Sequence, residues 1–364
     1  MRNLKNIASS ISTNIGGKRI DQKIVVIESD DWGSIRIPNL IVLNQLRRYG
    51  FQVDKCQYML NDTLESNDDL EILFQIINSQ KKKIVITANF LTANPNFELI
   101  RASNFQHYFN ESVKETLNRY PNHDKVFELY QKGISSGSFV PQLHGREHLD
   151  ITLWMSDLAS NNKETRYAFD LELFGVSQHI TMVKRPSYQA ALASLEFKPE
   201  LANQIISDAS QSFFEMFGFY SKSFIAPNYV WGQRMEEVLS KYKVEYLQGG
   251  NTQSIPLVHG KRLKRNGFGS KNSTGQKYLI RNASFEPFSD PNKDWVDSCM
   301  NDIKLAFLFK KPAIISMHRV NFVGGLNNKN RDRNIKQFLK LVTRIQTNWP
   351  DVQFISSSQL GDML

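Results

Sequence analysis

The sequence predicts an α/β protein built on a largely parallel sheet. Eight short runs of β-forming residues recur along the 364-residue chain, and helix-length amphipathic patterns separate most of them. Several of the runs end on a polar residue, as strands do where they emerge from a core. Alternation of this kind implies parallel strands joined by right-handed crossovers, and an open doubly wound sheet and a closed barrel both satisfy it. No internal repeat, low-complexity segment or linker divides the chain, so one domain over residues 1–364 is expected.

The first run, KIVVIESDDW, opens with four β-formers at 24–27 and breaks into Glu28, Ser29, Asp30 and Asp31. Burying a carboxylate without a partner costs several kcal/mol, so an Asp pair at the mouth of a core strand requires a neutralising group. An irregular polar region with Pro38 follows, then a helix over 64–79 with Asn67 as its cap and Leu70, Leu73, Phe74 and Ile77 on one face. Strands are predicted at 83–90 and 137–144, then helices near 149–158, 164–174 and 199–217. Further strands fall at 222–228, stopped by Pro227, and at 244–248, closed by Gly249-Gly250. Runs at 277–282, 313–317 and 352–356 complete the set, with helices at 294–309 and 331–348 between them.

Composition excludes several classes. With 41% hydrophobic and 22% charged residues the chain is neither disordered nor fibrous. No run approaches the length of a transmembrane helix, and the N-terminus lacks the apolar segment of a secretory signal, so a cytoplasmic protein is expected. Cys56 and Cys299 fit no metal spacing. The formal charge of +9 suits an anionic partner, and it concentrates in residues 259–277, which hold six Lys or Arg, four Gly and no acid. We read this stretch as a mobile basic loop. Its only aromatic is Phe268, so nucleic acid is not expected as a partner.

The polar residues at strand ends form a constellation. Asp30, Asp31, His144, Asn228, Arg281 with Glu286, and His318 lie at or just past the C-terminal ends of separate strands, and in parallel α/β folds those ends meet on one face. His144 and His148 stand four apart across LHGREH, a spacing that lets both imidazoles reach one cation. Two imidazoles and a carboxylate leave positions open, which marks a catalytic metal. Zinc is the usual occupant, with manganese, cobalt, nickel and iron also compatible. Adjacent Asp30 and Asp31 can divide labour, one ligating and one accepting a proton.

Taken together, ESDDW, HGREH, FIAPNY, DPNKDW and SMHR resemble, in order, the motifs of the NodB-like polysaccharide deacetylases, metal-dependent carbohydrate esterases, across residues 28–319. The resemblance implies a distorted (β/α) barrel of about seven or eight parallel strands. It also implies removal of acetyl groups from the amino or hydroxyl groups of an acetylated sugar, in a glycan or glycan precursor. Carried over, it implies Asp31, His144 and His148 as metal ligands, Asp30 as general base and His318 as general acid. A backbone N–H near Asn228 or Tyr229 would help hold the oxyanion, and Trp295 or Trp231 would wall the acetyl pocket. Trp32 fits a core position first, though beside the Asp pair it can also serve as a sugar platform.

The sequence departs from the family pattern in three places. Glu28-Ser29 stands where the family has Thr-Phe, Gly145 where it has a small hydroxyl residue, and Ile225 where it has the Arg that orients the catalytic base. Arg281 and Arg185 are the candidates to supply that cation from another strand, Arg281 within RNASFEP, where an ordinary Arg281–Glu286 salt bridge is the plainer reading. Two other functions keep the same residues: a metal-dependent amidase for a non-sugar substrate, and a carbohydrate-binding barrel without turnover.

Overall fold

The computed structural model describes residues 4–176, 178–182 and 187–364. Arg185 lies outside them. The main sheet has nine strands: β1 (Ile24–Trp32), β2 (Ile86–Leu91), β3 (Phe139–Gly145), β4 (Ser223–Ile225), β5 (Tyr246–Gly249), β6 (Lys277–Ile280), β7 (Ala283–Ser284), β8 (Ala313–His318) and β9 (Gln353–Phe354). Their order is β6-β5-β4-β3-β2-β1-β8-β7, all neighbours parallel, with β9 added to the start of β1.

The two ends of that order are successive pieces of one stretch. β6 pairs with β5, the Arg281 N–H donates to the Gly249 carbonyl at 2.8 Å, and the Asn282 N–H then donates to the Ile314 carbonyl of β8 at 3.2 Å. The sheet therefore curls back on itself into a distorted (β/α) barrel. Of the two architectures the alternation allows, the closed one is formed, because the stretch 277–284 serves both edges. Helices pack outside, among them Asn67–Asn78, Pro199–Phe217, Trp295–Leu308 and Asn328–Asn348.

Within β1 every residue is buried, including the four polar ones, and the strand runs on to Trp32 rather than stopping at Ile27. Its register with β8 sets Asp30 opposite His318. Its register with β2 slips between Ser29 and Trp32, a bulge in which Asp31 takes φ +76°. A left-handed Asp costs of order 1 kcal/mol, and the bulge has a use, since neighbouring residues of a regular strand would point to opposite faces.

Some local expectations change. The helix expected from 64 starts at Asn67 and is capped by Ser66 in a reciprocal box with Asp69, so Asn67 is its first residue and not its cap. Within the stretch expected to be a basic loop, Lys261–Arg265 is a strand paired antiparallel with Thr252–Pro256. No helix among the described residues is long and apolar enough to cross a membrane.

Candidate active site

At the C-terminal mouth of the barrel the strand ends deliver two linked groups of side chains. In the first, Asp31 Oδ1 lies 3.3 Å from His144 Nε2 and 3.8 Å from His148 Nε2, and all three residues are buried. Each offers one ligand atom, and these atoms lie within 4.8 Å of one another. His144 Nδ1 sits 2.9 Å from the Ile225 carbonyl, which fixes the ring so that Nε2 faces Asp31. Asp31 Oδ1 and His148 Nδ1 are buried with no hydrogen-bond partner. Orphaned buried polar atoms are costly, and a divalent cation between these side chains would satisfy the carboxylate oxygen. Burial pushes the His148 imidazole down to about 3, against the pull of Asp31, which keeps it in the neutral form that ligates metals. For Asp31 burial acts upward, but the His144 contact and the Arg36 guanidinium hold the carboxyl well below the usual range. Oxygen and imidazole donors so arranged fit zinc or a similar borderline ion.

The second group surrounds Asp30. Arg281 grips it with two parallel bonds of 2.7 Å, Nη2 to Oδ1 and Nη1 to Oδ2. The same guanidinium donates from Nε to Glu28 Oε2 at 2.6 Å and from Nη1 to the Tyr229 hydroxyl at 3.1 Å. Asn89 Nδ2 donates to Asp30 Oδ1 at 2.7 Å. Burial would raise the Asp30 carboxyl, but Arg281, with His318 and His144 beyond it, holds it at about 2. The cation missing at Ile225 is thus present on the closing stretch of the barrel. Arg281 does not pair with Glu286, which instead accepts from His318 Nδ1 at 2.6 Å and from Asn321 Nδ2 at 2.8 Å. His318 Nε2 is 3.8 Å from Asp30 Oδ2. Burial works against the imidazolium, yet Glu286, Asp30 and Asp31 together raise His318 to about 9.

Other expected residues sit apart from this cluster or act on it indirectly. Tyr229 reaches the site through its hydroxyl, while its N–H donates to the Ala226 carbonyl at 2.9 Å. Asn228 is exposed in a left-handed turn beside it. The Trp32 indole donates to Ser29 Oγ and packs against Phe90, Phe139 and Phe322, a core position and not a sugar platform. Trp295 donates to the Asp290 carbonyl and Trp231 to Glu236. Arg146 and Glu147 pair with each other.

Residues that sequence reasoning left aside complete the site. Arg36 Nη2 holds Asp31 Oδ2 at 3.2 Å and its Nε holds Asp62 Oδ2 at 3.3 Å. Arg319 continues the series, with Nε on Asp62 Oδ1 at 3.2 Å and Nη1 on Glu65 Oε2 at 2.6 Å. In this buried ladder carboxylates and guanidiniums alternate, carboxylates standing at both ends, so one negative charge is left over and Asp31 turns toward the imidazoles. Tyr58 packs edge-on against His318 with ring centroids 5.3 Å apart. Of these residues only Arg319 lay within a recognised motif, SMHR.

No family model matches the sequence, and no curated protein is recognisably similar to it. Among solved structures the chain is similar to a polysaccharide deacetylase from Bacillus cereus, at 8% identity and TM-score 0.30 over 72% of this chain and 64% of that one. It is also similar to an alpha-amylase from Thermotoga maritima (10%, TM-score 0.47, 95% and 75%) and to an allantoinase (7%, TM-score 0.44, 99% and 96%). Likeness at these levels says nothing of the reaction, and the functional reading rests on the side chains.

Proposed function

We propose that the protein is a metal-dependent hydrolase that removes acetyl groups from an N- or O-acetylated sugar. One observation carries this reading: the buried Asp31, His144 and His148 donors converge within 4.8 Å beside an ionised Asp30 and a His318 raised to about 9. Asp31, His144 and His148 would hold the ion. When bound, such an ion supplies a water whose pKa falls from about 15.7 toward roughly 7.

Everything else is done by the chain itself. Asp30, oriented by the Arg281 fork, accepts a proton at Oδ2 and stays a carboxylate at any pH well above about 2. His318 donates from Nε2 to the departing amine or alkoxide, because its Nδ1 is committed to Glu286. Base and acid are therefore in their working protonation states together between roughly pH 3 and 8, one carboxylate low and one imidazolium high. The Tyr229 hydroxyl and Ser316 Oγ, each 3.1 Å from Arg281 Nη1, limit how far the guanidinium can swing.

Acetate release from acetylated chito-oligosaccharides tests the reading. Release that stops with a chelator and returns with added zinc is expected. A folded, metal-loaded protein that releases none, or a rate indifferent to the chelator, contradicts it; oligosaccharide binding without release would favour the carbohydrate-binding alternative.

A further inference from the structure

Beyond Gly249-Gly250 the chain leaves the barrel mouth and enters the antiparallel pair Thr252–Pro256 and Lys261–Arg265. The first strand is the anchor. Gln253, Ile255 and Pro256 are buried, and Gln253 Nε2 donates to the Trp231 carbonyl. The second strand is exposed except at Lys264, and the turn between the strands is tight, the Leu257 N–H donating to the Gly260 carbonyl at 3.1 Å.

What this hairpin presents is unusual in combination. Val258 is 77% exposed, Leu263 63% and Leu257 45%. No acid occurs from residue 251 to 276, whereas Lys261, Arg262, Lys264, Arg265 and Lys271 all do. Lys264 rests on Tyr278 and Arg265 donates to Ser12 Oγ. Lys261 and Arg262 have no acidic partner among the described residues. Of the acids bordering the hairpin, Glu236 is buried and accepts from Trp231 and Tyr278, and Glu196 is half-buried beneath it. Basic residues alone would be an ordinary guard on an edge strand. A guard has no use for three solvent-facing aliphatic side chains.

We propose that this hairpin docks the protein on an anionic lipid surface, with Leu257, Val258 and Leu263 entering the headgroup boundary and Lys261 and Arg262 meeting lipid phosphates. An aliphatic side chain gains nothing from sugar hydroxyls or nucleotide phosphates, and a soluble nucleic acid would be met by stacking aromatics, which the tip lacks. A membrane interface answers both features at once, an apolar boundary and negative headgroups. The hairpin springs from the strand end, at the barrel mouth, whose Gly249 carbonyl accepts from Arg281, so a docked chain holds that strand end close to the lipid. The proposal does not depend on the reaction assigned to that mouth.

Flotation of the full chain with vesicles tests it. Binding to phosphatidylglycerol-containing vesicles, falling with added salt and absent from pure phosphatidylcholine, is expected. Each basic residue near such a surface contributes about fivefold (~1 kcal/mol), so Lys261→Gln with Arg262→Gln weakens binding about 25-fold. Val258→Ser with Leu263→Ser weakens vesicle binding at constant charge and leaves retention on heparin unchanged. Both double variants replace exposed side chains, and an unchanged melting temperature identifies any loss as one of docking. Absence of vesicle binding by the wild-type protein, or serine variants that bind vesicles as tightly as it does, overturns the proposal; the latter result would indicate a soluble polyanion as partner.

Discussion

Replacing Glu286 by Gln changes one charge and almost no volume, and it acts on His318 directly. The imidazole sits at about 9 although burial opposes its charge, and the Glu286 carboxylate at 2.6 Å from Nδ1 is the largest of the groups that raise it, ahead of Asp30 and Asp31. Without it we expect a fall of roughly one to two units, ~1.4–2.7 kcal/mol. At pH 8 a group titrating at about 9 is roughly 90% protonated, one at about 8 roughly half and one at about 7 roughly 10%, so an acid catalyst would lose about two- to ninefold in rate there and little at pH 6. The alkaline limb of acetate release should move down accordingly, and the His318 ring signals in NMR of the metal-free protein should titrate at the lower value. Stability follows the same sign. A folded-state value above the ordinary 6.5 stabilises fully below about pH 6.5, and the benefit disappears as pH rises through about 9. The wild-type advantage over Glu286→Gln should therefore be largest near pH 6, shrink as pH rises from about 7 to 9, and vanish above that. An unmoved limb together with an unmoved titration would refute this role for Glu286.

The other expectations follow from the same contacts. Arg281→Met leaves Asp30 and Glu28 buried without their cation and should cost about 3–5 kcal/mol in urea unfolding, with Arg281→Lys intermediate because an ammonium has no fork. An Arg281→Met protein as stable as wild type would contradict the buried pairing. Arg36→Met frees Asp31 Oδ2 and should weaken zinc binding about 10–100-fold in a competition titration, whereas unchanged affinity would leave the guanidinium ladder purely structural. Trp32→Ala removes a side chain packed on Phe90, Phe139 and Phe322 and should cost about 3–5 kcal/mol; a cost near zero would reopen a surface role.

Much of this site was legible because strand ends announce themselves. Apolar runs stopping at His144, Arg281 and His318 locate one face of a parallel sheet, and the helix at Pro199–Phe217 has the expected bounds since Pro opens it and Gly218 closes it in the left-handed region. Reading fell short where charges are buried. β1 continues through Glu28 and Asp30 because Arg281, Ser357 and Asn89, all distant in sequence, satisfy them, and a local pattern holds no record of such partners. Arg36 and Asp62 fell in a stretch read as irregular and polar, and Glu65 in the first turn of the helix expected over 64–79, where nothing distinguishes a solvated charge from one in a ladder. Glu286 was within the motif RNASFEP, but its partner proved to be His318 rather than Arg281.

X-ray absorption on zinc-loaded protein would probe the shared cation most directly. Coordination of one zinc per chain by two imidazole nitrogens and a carboxylate oxygen at about 2.0–2.2 Å, lost in His144→Ala, is the expected result. A chain that takes up no zinc, or a zinc that keeps both imidazole nitrogens after removal of His144, would mean that Asp31, His144 and His148 do not meet around an ion.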